Sequence, residues 1–149
     1  VSILPYIILD SKVYFLLGLE QNDKYSDFGG GIEKNENIID AALREFDEET
    51  MGIFKNIIHN LNNLKKITIK NLNHICYVVK FDNKYETNIN TYNEIMKKIN
   101  NHDTNHIQNY GLLEKKYINW FDIETIINLN KSNQLRESFA KTFEYVYKI

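Results

Sequence analysis

The stretch from Gly30 to Glu49 constrains this chain more than any other. Gly30 is followed after five residues by Glu36, and after seven more by the run Arg44, Glu45, Phe46, Asp47, Glu48, Glu49. The end of this stretch reads as a helix, which places Glu45, Glu48 and Glu49 at i, i+3 and i+4 on one face. Each facing like-charge pair costs an isolated helix roughly 0.2–0.5 kcal/mol. Carboxylates near the C-terminal end of the macrodipole cost on the order of 0.3–1 kcal/mol more. A helix selected for stability alone would carry lysines there. Converging acidic oxygens are what hard divalent cations such as Mg²⁺ take as ligands, and Mg²⁺ recruits phosphate oxygens in turn.

Signals around the cluster fix its setting. Asn37 is an N-cap with Asp40 three residues on, and the helix is expected to run to about Met51, with Gly52 as its stop. Ile39, Ala42, Leu43, Phe46 and Thr50 form the apolar stripe. The three glutamates then lie about 100° around the cylinder, at the edge of the core, where they would line a cleft. Upstream, Gly29, Gly30 and Gly31 are consecutive, and glycine permits close approach of the main chain to a ligand.

This pattern resembles the Nudix box, the signature of hydrolases that cleave a nucleoside diphosphate linked to another moiety. The match runs from Gly30 through Glu36 and Arg44-Glu45 to Glu48-Glu49. It departs at the exit, where the family glycine falls two residues after the glutamate pair and this chain has Met51, with Gly52 one residue late. The resemblance implies Mg²⁺, with Mn²⁺ as a substitute, held by Glu45, Glu48 and Glu49 and by the Gly30 carbonyl. It implies that Glu36 and Arg44 buttress the loop and helix, Arg44 also orienting Glu45. The reaction implied is attack of water on phosphorus with no covalent intermediate.

The family's general base is a box glutamate or a glutamate on a later loop. Glu45, Glu48 and Glu114 are the catalytic candidates; Glu114 stands six residues before Trp120, as the later glutamate does. Asp103 is the runner-up, and a solvated loop position beside Lys115 and Lys116 is the competing reading for Glu114. His102 and His106 share helical spacing without an evident third ligand, so they read as loop histidines rather than a zinc site.

Length and composition suit one domain spanning residues 1–149, with 43% apolar residues to build a core. A net charge of −2 gives no long-range attraction for polyanions, which argues against a general nucleic-acid binder. The single cysteine, Cys76, cannot form an internal disulfide, in keeping with a reducing, cytoplasmic setting. Val1 to Leu9 is too short to span a bilayer and reads as a strand, so no membrane partner is expected.

The remaining elements follow from periodicity. Ser2–Leu9 and Lys12–Leu19 form a hairpin across Asp10-Ser11, and Tyr25–Gly31 is an extended entry to the box. Lys66–Lys70 and His74–Phe81 are a second strand pair, Asn90–Asn100 a helix with Tyr92, Ile95 and Ile99 inward, and Tyr117–Phe121 a last strand. Ile123–Leu129 and Gln134–Tyr147 are C-terminal helices. Pattern alone gives α+β; the resemblance implies an α/β Nudix fold with helices packed on both sides of a mixed sheet.

The substrate is less constrained. A small phosphorylated molecule, first a nucleotide such as a nucleoside triphosphate, suits a chain near the minimal domain size. Capped RNA, diphosphoinositol phosphates and a non-catalytic binding module are the alternatives. Against capped RNA, only short lysine pairs occur, Lys65-Lys66, Lys97-Lys98 and Lys115-Lys116, rather than a basic track. Tyr6, Tyr25, Phe28 or Tyr110 could stack on a base, and the segment Asn83–Tyr110 could cover a substrate, but no substrate-binding residue is singled out. Oligomeric state is left open, a homodimer included.

Overall fold

A computed structural model describes residues 1–58, 65–69, 72–100 and 114–147. Strands β1 (Ser2–Leu9) and β2 (Lys12–Glu20) form the expected antiparallel hairpin. Asp10 and Ser11 turn it with φ of 50° and 65°. That left-handed pair matches the right-handed twist of the flanking strands. Strands β3 (Tyr25–Ser26) and β4 (Phe28–Gly29) make the entry to the box, β3 pairing with β2 and β4 with β1. Strands β5 (Lys65–Ile69) and β6 (His74–Lys80) pair with each other, and β7 (Lys115–Asp122) pairs with β2. The seven strands form one sheet ordered β3-β2-β1-β6-β5, with β4 also on β1 and β7 on β2. Only the β1–β6 pairing among them is parallel, so the sheet is mixed.

Helices α1 (Ile38–Glu49) and α2 (Asn88–Asn100) cover one face, and α3 (Ile123–Lys131) and α4 (Glu137–Tyr147) the other. Strand alternation sorts the side chains between the two cores: Ile3, Ile7, Leu16, Tyr77, Val79, Ile118 and Trp120 go to α1 and α2. Leu4, Phe15, Leu17, Cys76 and Val78 go to α3 and α4. The α/β expectation with helices on both faces holds. Among the described residues no helix is long and apolar enough to cross a membrane, and Cys76 is a free, buried thiol.

Phe46 seats α1 on the sheet. Its ring lies 5.5 Å from that of Phe28, 5.9 Å from Phe54 and 6.1 Å from Phe81. Burying such side chains contributes about 1.5–3 kcal/mol each, so these contacts fix the rotation of the helix that carries the glutamates.

Both ends of α1 are capped. Asn37 accepts from the Asp40 N–H at 2.8 Å, as expected. The helix stops at Glu49, two residues short of the expected Met51, and Thr50 is its C-cap. The Met51 N–H reaches the Glu48 carbonyl at 3.4 Å and the Gly52 N–H the Asp47 carbonyl at 2.9 Å, the two bonds of a Schellman closure. That closure needs a left-handed residue first past the cap, and Met51 supplies it at φ 54°. Met51 therefore occupies the conformation that glycine usually takes, and the exit keeps its register despite the displaced Gly52.

Helix α2 begins two residues before the expected Asn90, and its inward stripe is Ile89, Tyr92 and Met96, with Ile99 partly buried. Ile95 points outward, contrary to expectation, because Met96 completes the 3.6-residue period from Tyr92 better than Ile95 does. The Tyr92 hydroxyl donates to the Lys115 carbonyl at 2.6 Å, and Asn93 exchanges hydrogen bonds with the Ile118 backbone at 2.8 and 3.0 Å. Helix α2 thus fixes the start of β7.

Candidate active site

Arg44 ties the entry loop to the box helix. Its guanidinium donates a fork to Glu36, from Nε to Oε2 at 2.8 Å and from Nη2 to Oε1 at 2.9 Å. Nη2 also donates to the Gly31 carbonyl at 3.0 Å. Nη1 donates to Glu45 Oε1 at 2.8 Å and lies 3.5 Å from Glu48 Oε2. The fork, joined by the Glu33 N–H, lowers the Glu36 carboxyl to about 2, and it raises Arg44 in turn. Asp40, a competing partner for Arg44 at helical spacing, bonds Asn37 instead.

Gly30 lies directly against the Glu45 carboxylate. A Cβ on Gly30 would stand 2.5 Å from Glu45 Cδ and 2.6 Å from both of its oxygens. Any larger residue would displace that carboxylate, so this position needs glycine. The Gly30 carbonyl accepts from the Val1 nitrogen at 3.1 Å, and the Gly30 N–H donates to the Val1 carbonyl at 3.0 Å.

The three box glutamates do not share one environment. Glu45 and Glu48 are partly exposed, whereas Glu49 is 2% exposed. The expectation of three carboxylates at the edge of the core is corrected for Glu49. That side chain turns under β4, where its Oε1 accepts from the Gly29 N–H at 3.1 Å. Its Oε2 is buried without a hydrogen bond, with Lys115 Nζ 3.4 Å away. Burial pushes the Glu49 carboxyl upward, Lys115 beside it pulls the other way, and Glu114 adds to the rise.

Glu114, just ahead of β7, is exposed. Its carboxyl is raised nonetheless, first by partial burial and then by Glu45, with Glu20 and Glu48 adding to the effect and Lys115 opposing it. The charges of Glu45 and Glu48 therefore bear on the Glu114 carboxyl. Asp103, His102, His106 and Tyr110 lie outside the described residues.

Sequence reasoning missed Lys115, which is buried. Its Nζ lies 3.5 Å from Glu20 Oε1 and donates to the Asp27 carbonyl at 3.0 Å, besides facing Glu49. The ammonium also sits over the Phe28 ring, 5.6 Å from its centroid. Glu20 was missed as well, and pairs in addition with Arg136 at 3.5 Å.

On the other side of the glycine wall opens a cavity of about 300 Å³ lined by Ser2, Asp27, Gly29 to Gly31, Leu72, His74, Arg136 and Ser138. Ser2 Oγ donates to the buried Asp27 Oδ2 at 2.5 Å and lies 2.9 Å from His74 Nε2. Because the hydroxyl's one proton goes to Asp27, Nε2 must be the donor in the second bond. Burial lowers the His74 pKa, opposed by Asp27. Neither His74 nor Arg136 was singled out from sequence, since nothing local marks them.

Among the described residues no group of three or more His, Cys, Asp and Glu side chains is gathered so that it could hold a metal ion. Glu45 and Glu48 are bridged by one guanidinium nitrogen instead. The donor chemistry nonetheless suits a hard divalent cation. The glutamates offer hard carboxylate oxygens, Glu45 seated against Gly30 and Glu49 Oε2 left without a hydrogen bond.

The chain thus folds as a mixed sheet between two helical layers, with a glycine loop feeding an acidic helix. The solved structures it resembles include two of C. elegans Ap4A hydrolase. The first matches with a TM-score of 0.55 at 15% identity over 98% of this chain and 95% of that one. The second, a binary complex of that enzyme, matches at 0.55 and 16% identity over 99% and 98%. No protein-family model and no curated protein sequence matches the chain.

Proposed function

We propose that this protein is a Mg²⁺-dependent Nudix-type hydrolase that cleaves a phosphoanhydride bond in a nucleotide. The observation that carries the reading is the Gly30–Glu45 contact, locked by the Arg44 fork to Glu36. These are four of the positions at which the sequence matches the box, and they meet in space. Glu45, Glu48 and Glu49 are the box carboxylates for Mg²⁺, which when bound supplies positive charge to phosphate oxygens. Arg44 holds Glu45 in place, and Glu114 takes the proton from the attacking water. The Gly29–Gly31 wall separates the carboxylates from the cavity beyond, and the cavity receives the rest of the nucleotide, with Arg136 at its rim.

Nucleoside triphosphates and dinucleoside polyphosphates are the substrate classes to test first, the latter because the neighbours in fold are Ap4A hydrolases. Capped RNA loses ground because one of the lysine pairs that could have met its backbone is used internally. Lys115 is buried, and Lys116 bonds Asp23 at 2.6 Å. The test is a Mg²⁺ panel of nucleoside triphosphates, diadenosine polyphosphates, ADP-ribose, capped RNA and diphosphoinositol phosphates, with products identified by mass. Hydrolysis of a nucleotide with highest efficiency is expected. Release of methylated guanosine diphosphate from capped RNA as the best reaction would overturn the substrate assignment, and no hydrolysis of any member would overturn the enzyme.

A further inference from the structure

We propose that His74 is a specificity residue of the cavity beyond the glycine wall, where its ring nitrogen Nδ1 accepts from the exocyclic amino group of a nucleobase. This rests on the nucleotide reading above and names the part of the nucleotide that the cavity takes.

A chain of hydrogen bonds fixes which nitrogen of His74 carries the proton. The Asp27 carboxylate is buried, and the side-chain donors that reach it are all uncharged: Ser2 Oγ at 2.5 Å, Ser26 Oγ at 3.1 Å and Cys76 Sγ at 3.7 Å. An ionised carboxylate only accepts, so the Ser2 proton goes to Asp27 and His74 donates to Ser2 from Nε2 at 2.9 Å. Burial holds the ring toward its neutral form. A neutral imidazole with its proton on Nε2 keeps a bare Nδ1, an acceptor with no hydrogen bond among the described residues. His74 lines the cavity, so this nitrogen is the ring atom left to meet a guest.

Charge and shape select the guest. Arg136, the cationic side chain on the lining, has Nη1 3.5 Å from Glu20 Oε1. Lys115 meets Asp27 only at its carbonyl and faces Glu49 and Glu20. A phosphate in the cavity would face the Asp27 carboxylate, whereas a base brings no charge. The volume of about 300 Å³ is at the lower end of small-molecule pockets. Gly29 to Gly31 make one wall of main chain alone, and a Cβ on Gly31 would meet nothing within 4 Å, so the space beside it is open. A planar ring lies flat against such a wall, and its amino group supplies the N–H that Nδ1 lacks.

Three pairs of nucleotides differ by that amino group alone: ATP and purine riboside triphosphate, GTP and inosine triphosphate, CTP and pyrimidin-2-one riboside triphosphate. Titration calorimetry on the full chain without divalent metal measures their binding apart from turnover, and kcat/KM with Mg²⁺ measures the same ratio during hydrolysis. In the pair of the preferred base, the wild type should favour the amino member about tenfold or more. His74→Phe, which keeps a planar ring and loses the acceptor, should bring the two members within about twofold. Equal ratios in all three pairs for the wild type, a result that needs no variant to fold, would overturn the inference and leave the enzyme reading standing, as would a preference that survives in His74→Phe. Preferential binding without hydrolysis would overturn the enzyme and uphold the inference. A wild type that neither binds nor hydrolyses any of the six would overturn both.

Discussion

Arg44 and Lys115 are each a cation set among carboxylates, and they sit on opposite sides of the same glutamate cluster. Arg44 is a partly exposed guanidinium that binds Glu36 as a planar fork and reaches Glu45 and Glu48. Lys115 is a buried ammonium, a point charge among Glu49, Glu20 and a backbone carbonyl. The first works by geometry, since its partners stay near water and the gain is in the orientation of Glu45. The second works by charge, since Glu49 Oε2 is buried without a hydrogen bond. The same helix face is therefore held from outside by shape and from inside by neutralisation.

The largest effect that could break this contrast is in the interior. Lys115→Met should cost about 3 kcal/mol or more in denaturant unfolding, because it leaves Glu49 buried without its partner. Adding Glu49→Gln should return most of that loss; a double variant no more stable than the single would show that the pair is not coupled. Next is Arg44→Lys, which keeps the charge and loses the fork. It should lower Mg²⁺ affinity or turnover by roughly 10- to 100-fold with little change in stability. Equal activity in the lysine variant would remove the geometric half of the comparison.

A smaller effect is set by pH. The folded Glu36 carboxyl is lowered to about 2 from the ordinary glutamate value, so its contribution to stability is complete above that ordinary value. It declines as pH falls through the folded value. The stability gap between wild type and Glu36→Gln should therefore narrow as acid is added below about pH 4.5. A gap that stays constant down to pH 2.5 would show that the fork does not hold the proton off. The smallest change is at the helix exit: Met51→Gly should stabilise the fold by up to about 1 kcal/mol, since glycine takes positive φ without a Cβ penalty. Destabilisation by thermal unfolding would mean that the packing of Met51 outweighs its backbone strain.

How far each region could be read in advance follows from the range of its contacts. The Gly30, Glu36, Arg44 and Glu45 set has fixed spacing within one loop and one helix, and the Asn37 cap and the Asp10-Ser11 turn are equally local. Lys115 was not legible because Lys115 and Lys116 are the same residue side by side. Simple alternation from Ile118 and Trp120 would turn Lys116 inward; a bulge reverses the choice, and the bulge depends on pairing with β2 far away in sequence. Glu49 was misplaced for the same reason, since its burial depends on β4 and β7 covering it rather than on its position around the helix. The cavity is assembled from β1, β4, β6 and the start of α4, elements that no local signal brings together.

The claim at the centre is that Glu45 and Glu48 carry metal-dependent phosphoanhydride hydrolysis. Its most direct test is the Mg²⁺-dependent turnover of the best nucleotide substrate by Glu48→Gln beside the wild type, with circular dichroism on both. A fall of roughly 10²–10⁴-fold with an unchanged spectrum is predicted. An unchanged rate would contradict the account and leave this fold to a binding role.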